Sequence, residues 1–234
     1  MKFLMDKAFL EKYPNALLGL VHCKDIDNKG KNEEIRKLIQ TESERIKKEF
    51  DKETLTENPK IACWRAAYSS FGAKPRKYRS SVENLHRMVL DNLEIREINK
   101  IVDTYNYICL KHTLPVGGDD TEKTEGNVTL KIADGSERFV EMNTTEIKNP
   151  KPGEVVFCDE KDVICRRWNW RQCDKTKIDK NSKEVTLQVE ALDPFTSQDI
   201  QEIIDELAEL VKKFCGGTTK TYVVSKDNKE VDVE

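Results

Sequence analysis

The hydrophobic period of this chain changes midway, and that change limits the possible folds more than any other feature. Up to residue 112, apolar residues recur at three and four. Ile35, Leu38, Ile39, Ile46 and Phe50 share one helical face, and Ile61, Trp64, Ala67, Tyr68 and Phe71 a second. Leu85, Met88 and Val89 mark a third helix, and Ile98, Ile101, Val102, Tyr105, Ile108 and Cys109 a fourth. Asn58-Pro59 supplies a side-chain cap and a first-turn proline, and Ser80-x-x-Glu83 reads as a capping box. The fourth helix ends near LPVGG, where Pro115 and the glycine pair stop it.

After residue 126 the period becomes two. Val128–Ala133 alternates, Asp134-Gly135 is a hairpin turn signal, and Arg138–Glu141 is expected to return beside it. Gly153–Cys158 and Val163–Arg167 predict another hairpin, and Val185–Leu192 one more strand. Thr196-x-x-Asp199 caps a long helix closed by Gly216-Gly217, and Thr221–Val224 adds a last strand. Ala16–Val21, ahead of all the helices, is short and apolar enough for a buried strand. Helices first and strands second predict the α+β class: N-terminal helices packed on a mixed or antiparallel β core. A single domain is expected over 1–234, with a mainly helical half (31–112), a mainly strand half (113–224, including the helix 196–215) and a frayed tail (225–234).

Composition narrows the function classes. The 234 residues are 37% hydrophobic and 35% charged, and the apolar ones come in periodic runs, which excludes disorder. No run approaches the length of a membrane span, and the N-terminus offers no signal-peptide core. The seven cysteines form an odd set without a CxxC pair, so neither a disulfide framework nor a zinc ribbon is indicated and the cytoplasm is the expected location. No GxGxxG or GxxxxGK[ST] is present, and the three histidines sit at no metal spacing; neither cofactor nor metal is implied. A net charge of −3 argues against a coat protein for nucleic acid. Charge is segregated, however: Arg65, Lys74, Arg76, Lys77, Arg79 and Arg87 face only Glu83, and a second basic stretch runs from Arg166 to Lys183.

Two segments carry candidate chemistry. RRWNWRQC (166–173) holds two of the three tryptophans. On an extended strand Trp168 and Trp170 point one way, and Arg167, Asn169 and Arg171 the other. Such a strand stacks a base on an indole and holds phosphate with an arginine fork; alternatively both tryptophans are core and the arginines solvate the opposite face. In LPVGGDD (114–120), two glycines let backbone N–H groups approach a ligand and the aspartates can orient water; alternatively the segment only connects helix to strand.

Arg65 with GAKPRKYRSSVENLHR, INKIVDTYNYICLKHTLPVGGDD and ICRRWNWRQCDKTKI together resemble the stand-alone B3/B4 domain family, related to the editing domain of the phenylalanyl-tRNA synthetase β subunit. The similarity runs from about residue 60 to 210, and VDTYNYICL followed by LPVGGDD is its most specific block. It implies a layered B3/B4-like fold and hydrolysis, in trans, of the ester joining a wrong amino acid to tRNA. The partners it implies are the acceptor end of tRNA and the amino-acid moiety it carries, with no DNA and no membrane. The synthetase loop carries a histidine where this chain has Gly117, so that role has no counterpart here. At 234 residues the chain is not expected to hold the ATP-dependent core of a ligase as well, so ligation of amino acids is not expected.

An aminoacyl ester is already activated, so it needs a positioned water and donors for the oxyanion. Gly117 and Gly118 are the candidate backbone donors, Asn106 the group that fixes the loop or the substrate amine, and Asp119 the partner of the α-ammonium or of water. Arg65, Arg167 and Arg171 are candidates for acceptor-end phosphates, Trp168 or Trp170 for the terminal adenosine, and Asn169 and Thr176 for the pocket. The alternative is a non-catalytic module that keeps the fold and binds tRNA, other RNA or a small molecule.

Overall fold

The computed structural model describes residues 1–233. The chain opens with β1 (Lys2–Met5), a short helix α1 (Lys7–Lys12) and β2 (Leu17–Lys24), followed by α2 (Glu33–Glu49), α3 (Pro59–Ser70), α4 (Ser81–Leu90) and α5 (Lys100–His112). β3 (Val116–Asp120), β4 (Val128–Ile132), β5 (Val155–Cys158), β6 (Val163–Arg166), β7 (Arg171–Gln172) and β8 (Val185–Ala191) follow. Helix α6 (Ser197–Cys215) and strands β9 (Thr218–Val224) and β10 (Glu230–Asp232) complete it. The α+β class holds, and no described helix is long and apolar enough to cross a membrane.

Two sheets carry the core. One has the order β10-β1-β4-β5-β6-β7, with β1 and β4 parallel and the other pairs antiparallel; the second, β3-β8-β2-β9, is antiparallel throughout. A contiguous hydrophobic cluster runs through both. α6 packs on the second sheet so closely that a Cβ on Gly19 of β2 would lie 2.5 Å from Ile204 Cγ2. Its start is the expected capping box, with Thr196 and Asp199 bonded reciprocally.

Four expectations are corrected. Strands do not simply follow helices: β1, where no strand is expected, opens the chain, and β2, the strand expected at Ala16–Val21, is an inner strand paired with both β8 and β9. β4 pairs with β5 rather than with 138–141, which makes only the isolated bridges Val140–Ile147 and Glu141–Cys173. All four residues of β5 are buried, so that pairing covers more apolar surface than Arg138–Glu141 offers. LPVGGDD is largely strand: Thr113 takes a left-handed φ of 58°, its N–H bonds Cys109 O at 3.0 Å, and the chain runs straight into β3. Among the described residues the tail does not fray, since β10 pairs with β1 and the Val233 N–H donates to Met1 O at 2.8 Å.

Candidate functional site

The second sheet turns one polar face away from α6. In β8, Val185, Leu187 and Val189 point one way and Thr186, Gln188 and Glu190 the other. Pairing sets Gly117 opposite Gln188 and Asp119 opposite Thr186, so the two β3 residues share that polar face. The turn between β6 and β7, the N-terminal part of α4 and one face of α5 cover it. They enclose a cavity of about 640 Å³ whose lining includes Asn106, Gly117, Gly118, Asp119, Gln188 and Glu190, with Trp170 and Arg171 on the turn side. That volume suits a drug-sized ligand.

Strand parity decides what the two glycines offer. Glu190 N donates to Pro115 O and Thr121 N to Glu184 O, so 115, 117, 119 and 121 direct their backbone groups at β8. The Gly117 N–H is therefore committed to the ladder, which corrects its expected part as an oxyanion donor. Gly118 faces the open edge of β3: its carbonyl accepts from Gln172 Nε2, and its N–H has no protein partner among the described residues. Its Cα hydrogens face the core, where a Cβ would meet Leu187 Cδ2 at 2.5 Å. At Gly117 a Cβ would enter open space, with only Gln188 Oε1 within reach at 3.8 Å. Asn106, half-buried on α5, lines the cavity and makes no side-chain hydrogen bond among the described residues.

Two buried carboxyls share the floor. Asp119 Oδ1 accepts from the Thr176 hydroxyl and from Gln172 Nε2 at 2.8 Å, and Oδ2 from Gln188 Nε2 at 3.0 Å. Burial still raises its pKa above the ordinary carboxylate value, because these bonds offset only part of the desolvation. Glu190 accepts one bond, from Asn169 Nδ2 at 2.8 Å, and Asn169 Oδ1 in turn accepts from the Tyr68 hydroxyl at 2.8 Å. Burial, with Asp119 nearby, pushes Glu190 up to about 8, so it is mainly protonated at neutral pH. Thr176, fully buried, holds Asp119 from behind and does not line the cavity.

The RRWNWR segment is not an extended strand, and this separates its tryptophans. Arg167 and Trp168 both take left-handed φ values, 49° and 66°, in the turn joining β6 to β7. Trp168 is 1% exposed, packed edge-on against Phe9, Tyr13 and Trp64; it belongs to the core, which corrects its place as a partner of adenosine. Trp170 lines the cavity. Arg167 is buried rather than free for phosphate: its guanidinium lies 3.8 Å from the Tyr78 ring centroid and 4.3 Å from that of Trp170, with Glu154 at 3.6 Å. Arg171 is exposed at the cavity, 4.9 Å from the Trp170 ring and paired with Glu141.

Arg65 also lies outside this cavity, donating through Nη1 to Glu83 Oε1 and Oε2 at 2.9 and 3.0 Å. Ser80 caps α4 as expected, but the Glu83 carboxylate goes to arginines rather than back to the cap. Sequence reasoning missed Glu190, Gln188 and Gln172. The available signal was the run Thr186, Gln188, Glu190, every second residue polar in a strand otherwise apolar enough to be internal.

A family model described as the B3/4 domain matches residues 63–216, a span that contains every residue lining the cavity. The chain is similar to the phenylalanine–tRNA ligase beta subunit of Mycoplasma genitalium, 33% identical over 76 residues, covering 32% of this chain and 9% of that one. The corresponding subunit of Fusobacterium nucleatum is 27% identical over 113 residues, 48% of this chain and 14% of that one. An N-terminal fragment of the phenylalanyl-tRNA synthetase beta subunit from Pyrococcus horikoshii aligns over 93% of this chain and 49% of its own, at 11% identity and a TM-score of 0.45. The chain thus spans only a small part of the curated relatives it matches. With 154 of its 234 residues (63–216) inside the family model, and the whole cavity with them, the chain belongs to the B3/4 domain family.

Proposed function

We propose that this protein deacylates mischarged aminoacyl-tRNA in trans, in the cytoplasm where charged tRNA circulates. One observation carries the reading: Asn106, Gly118 and Asp119, from a helix and a strand edge, converge with Glu190 and Trp170 on one cavity in the family-matched region. The kinship with phenylalanine–tRNA ligase beta subunits supports a tRNA substrate. Water attacks the ester carbonyl carbon, the bond to the ribose oxygen breaks, and that oxygen takes up a proton. The free Gly118 N–H is aimed where the carbonyl oxygen gains charge. Asn106 holds the carbonyl or the amine, and Asp119 Oδ2, with one lone pair unused, receives the α-ammonium. Glu190 exchanges a proton near neutrality, and Trp170 with Arg171 takes the terminal nucleoside.

The test is a panel of tRNAs charged with wrong amino acids. At least one should lose its amino acid to the protein. Asn106→Ala and Asp119→Ala should slow that loss by roughly 10- to 1000-fold, the range for removing a positioned polar group. Binding without hydrolysis across the whole panel would leave the non-catalytic RNA-binding module as the correct reading.

A further inference from the structure

The basic segment 65–87 folds into an arginine cluster around one carboxylate. Glu83 of α4 is fully buried, and it receives Arg65 of α3 at 2.9 Å, Arg87 of its own helix at 3.0 Å and Arg79 of the preceding loop at 4.0 Å. One negative charge faces three guanidiniums. The surplus is not made up nearby, because Arg76 has no ion pair among the described residues and Lys52 adds a further cation, paired only with Asp91. Arg65, Arg76, Arg79, Arg87 and Lys52 line a separate cavity of about 410 Å³, in which Glu53 is the only acid besides Glu83.

This cavity adjoins the candidate site, since Arg76 and Arg79 line both. Guanidiniums crowded on a surface repel one another, an arrangement that suits an anion better than empty solvent. Glu83 orients the forks of Arg65 and Arg87 without neutralising the group. Oriented forks match phosphate oxygens.

We propose that the cluster around Glu83 is a phosphate subsite that seats the RNA strand leading into the cavity. The inference rests on reading the cavity as the seat of an aminoacylated 3′ end. It makes the substrate a polynucleotide: an amino-acid ester of adenosine alone has no phosphate to place there. Arg65 and the basic loop then bind the strand, and Trp170 its terminal nucleoside.

The test uses uncharged RNA ending in CCA, labelled for anisotropy, titrated at several salt concentrations. Arg76→Ala, Arg79→Ala and Lys52→Ala should each weaken binding several-fold at low salt. Each should lower the slope of log affinity against log salt by about 0.7, the value for one phosphate contact on a single strand. Unchanged affinity and slope in all three would overturn the proposal and leave the arginines as a clamp between α3 and α4. Lys52 and Arg76 do not touch Glu83, so they carry the test even where Arg79→Ala unfolds. Because the probe bears no amino acid, the result stands apart from hydrolysis. A shifted slope with no deacylation across the panel would sink the enzyme reading alone, and deacylation with an unshifted slope would sink the phosphate subsite alone.

Discussion

Gly117 and Gly118 are adjacent in one strand and should respond oppositely to substitution. A side chain at Gly117 enters the cavity, so Gly117→Leu should leave stability within about 0.5 kcal/mol and cut deacylation more than tenfold by occupying substrate space. Gly118→Ala drives a methyl to 2.5 Å from Leu187 and 3.0 Å from Ile178. It should cost about 1–3 kcal/mol as an overpacked core substitution. Urea denaturation and single-turnover hydrolysis of the two variants separate the effects; equal destabilisation of both would refute the assigned directions. Asn106, Gly118 and Asp119 were legible as neighbours because they lie within fourteen residues of one helix–strand junction. Glu190 was not, because in a period-two pattern a polar position facing a cavity looks the same as one facing water.

At the scale of elements, the turn between β6 and β7 divides the labour of its two tryptophans. Alternation assigns both to one face, and it fails because Arg167 and Trp168 leave the extended region together. Asn169 is the sole turn-forming residue type in that turn, which contains no glycine, proline or aspartate, and one asparagine is a weak signal. Trp168→Ala should therefore cost about 3–5 kcal/mol, the usual loss for a buried tryptophan. Trp170→Ala, which gives up the Arg167 stack but little core, should cost about 1 kcal/mol and weaken the CCA-ending RNA instead. A Trp170 variant that unfolds like the Trp168 variant would move both residues into the core. The same logic applies to Glu83: its capping-box spacing was legible, and so were Arg79 and Arg87 four residues to either side, but Arg65 comes from α3 and nothing local ties it to Glu83. Glu83→Ala leaves those guanidiniums facing one another and should cost about 3–5 kcal/mol by chemical denaturation.

Over the whole molecule, periodicity was enough for the α+β class and for most helix boundaries, but strand order depended on contacts between distant segments. β2 joins β8 and β9, and β1 closes on β10, so the ends of the chain meet in one sheet. The buried ionisable groups of that assembly set its stability against pH. His22 and His86 are pushed down from 6.5 to about 4 by burial, His22 even with Glu184 3.3 Å from its Nε2. Between those limits the unfolded chain binds more protons at each histidine, so stability rises with pH until about 6.5. Glu190 acts in the opposite sense. Its value goes from 4.5 up to about 8 on folding, so between those limits the native state holds the extra proton and stability falls as pH rises. From 4.5 to 6.5 the two histidines outweigh the one glutamate; above 6.5 only Glu190 still counts among the three. Stability should therefore peak near pH 6.5 and decline toward pH 8 by up to about 1.4 kcal/mol per pH unit, the linkage slope for one proton. Glu190→Gln, which keeps an oxygen for Asn169 but cannot ionise, should flatten that decline while leaving the acid limb in place. The measurement is urea denaturation from pH 5 to 8 on both proteins, because above that the seven cysteine thiols, all raised by burial, begin to ionise in the unfolded chain and add a decline of their own. A wild-type curve that is level or rising between 6.5 and 8 would mean that Glu190 is already ionised in the folded protein, and its role as a proton-exchanging group in the cavity would fall with it.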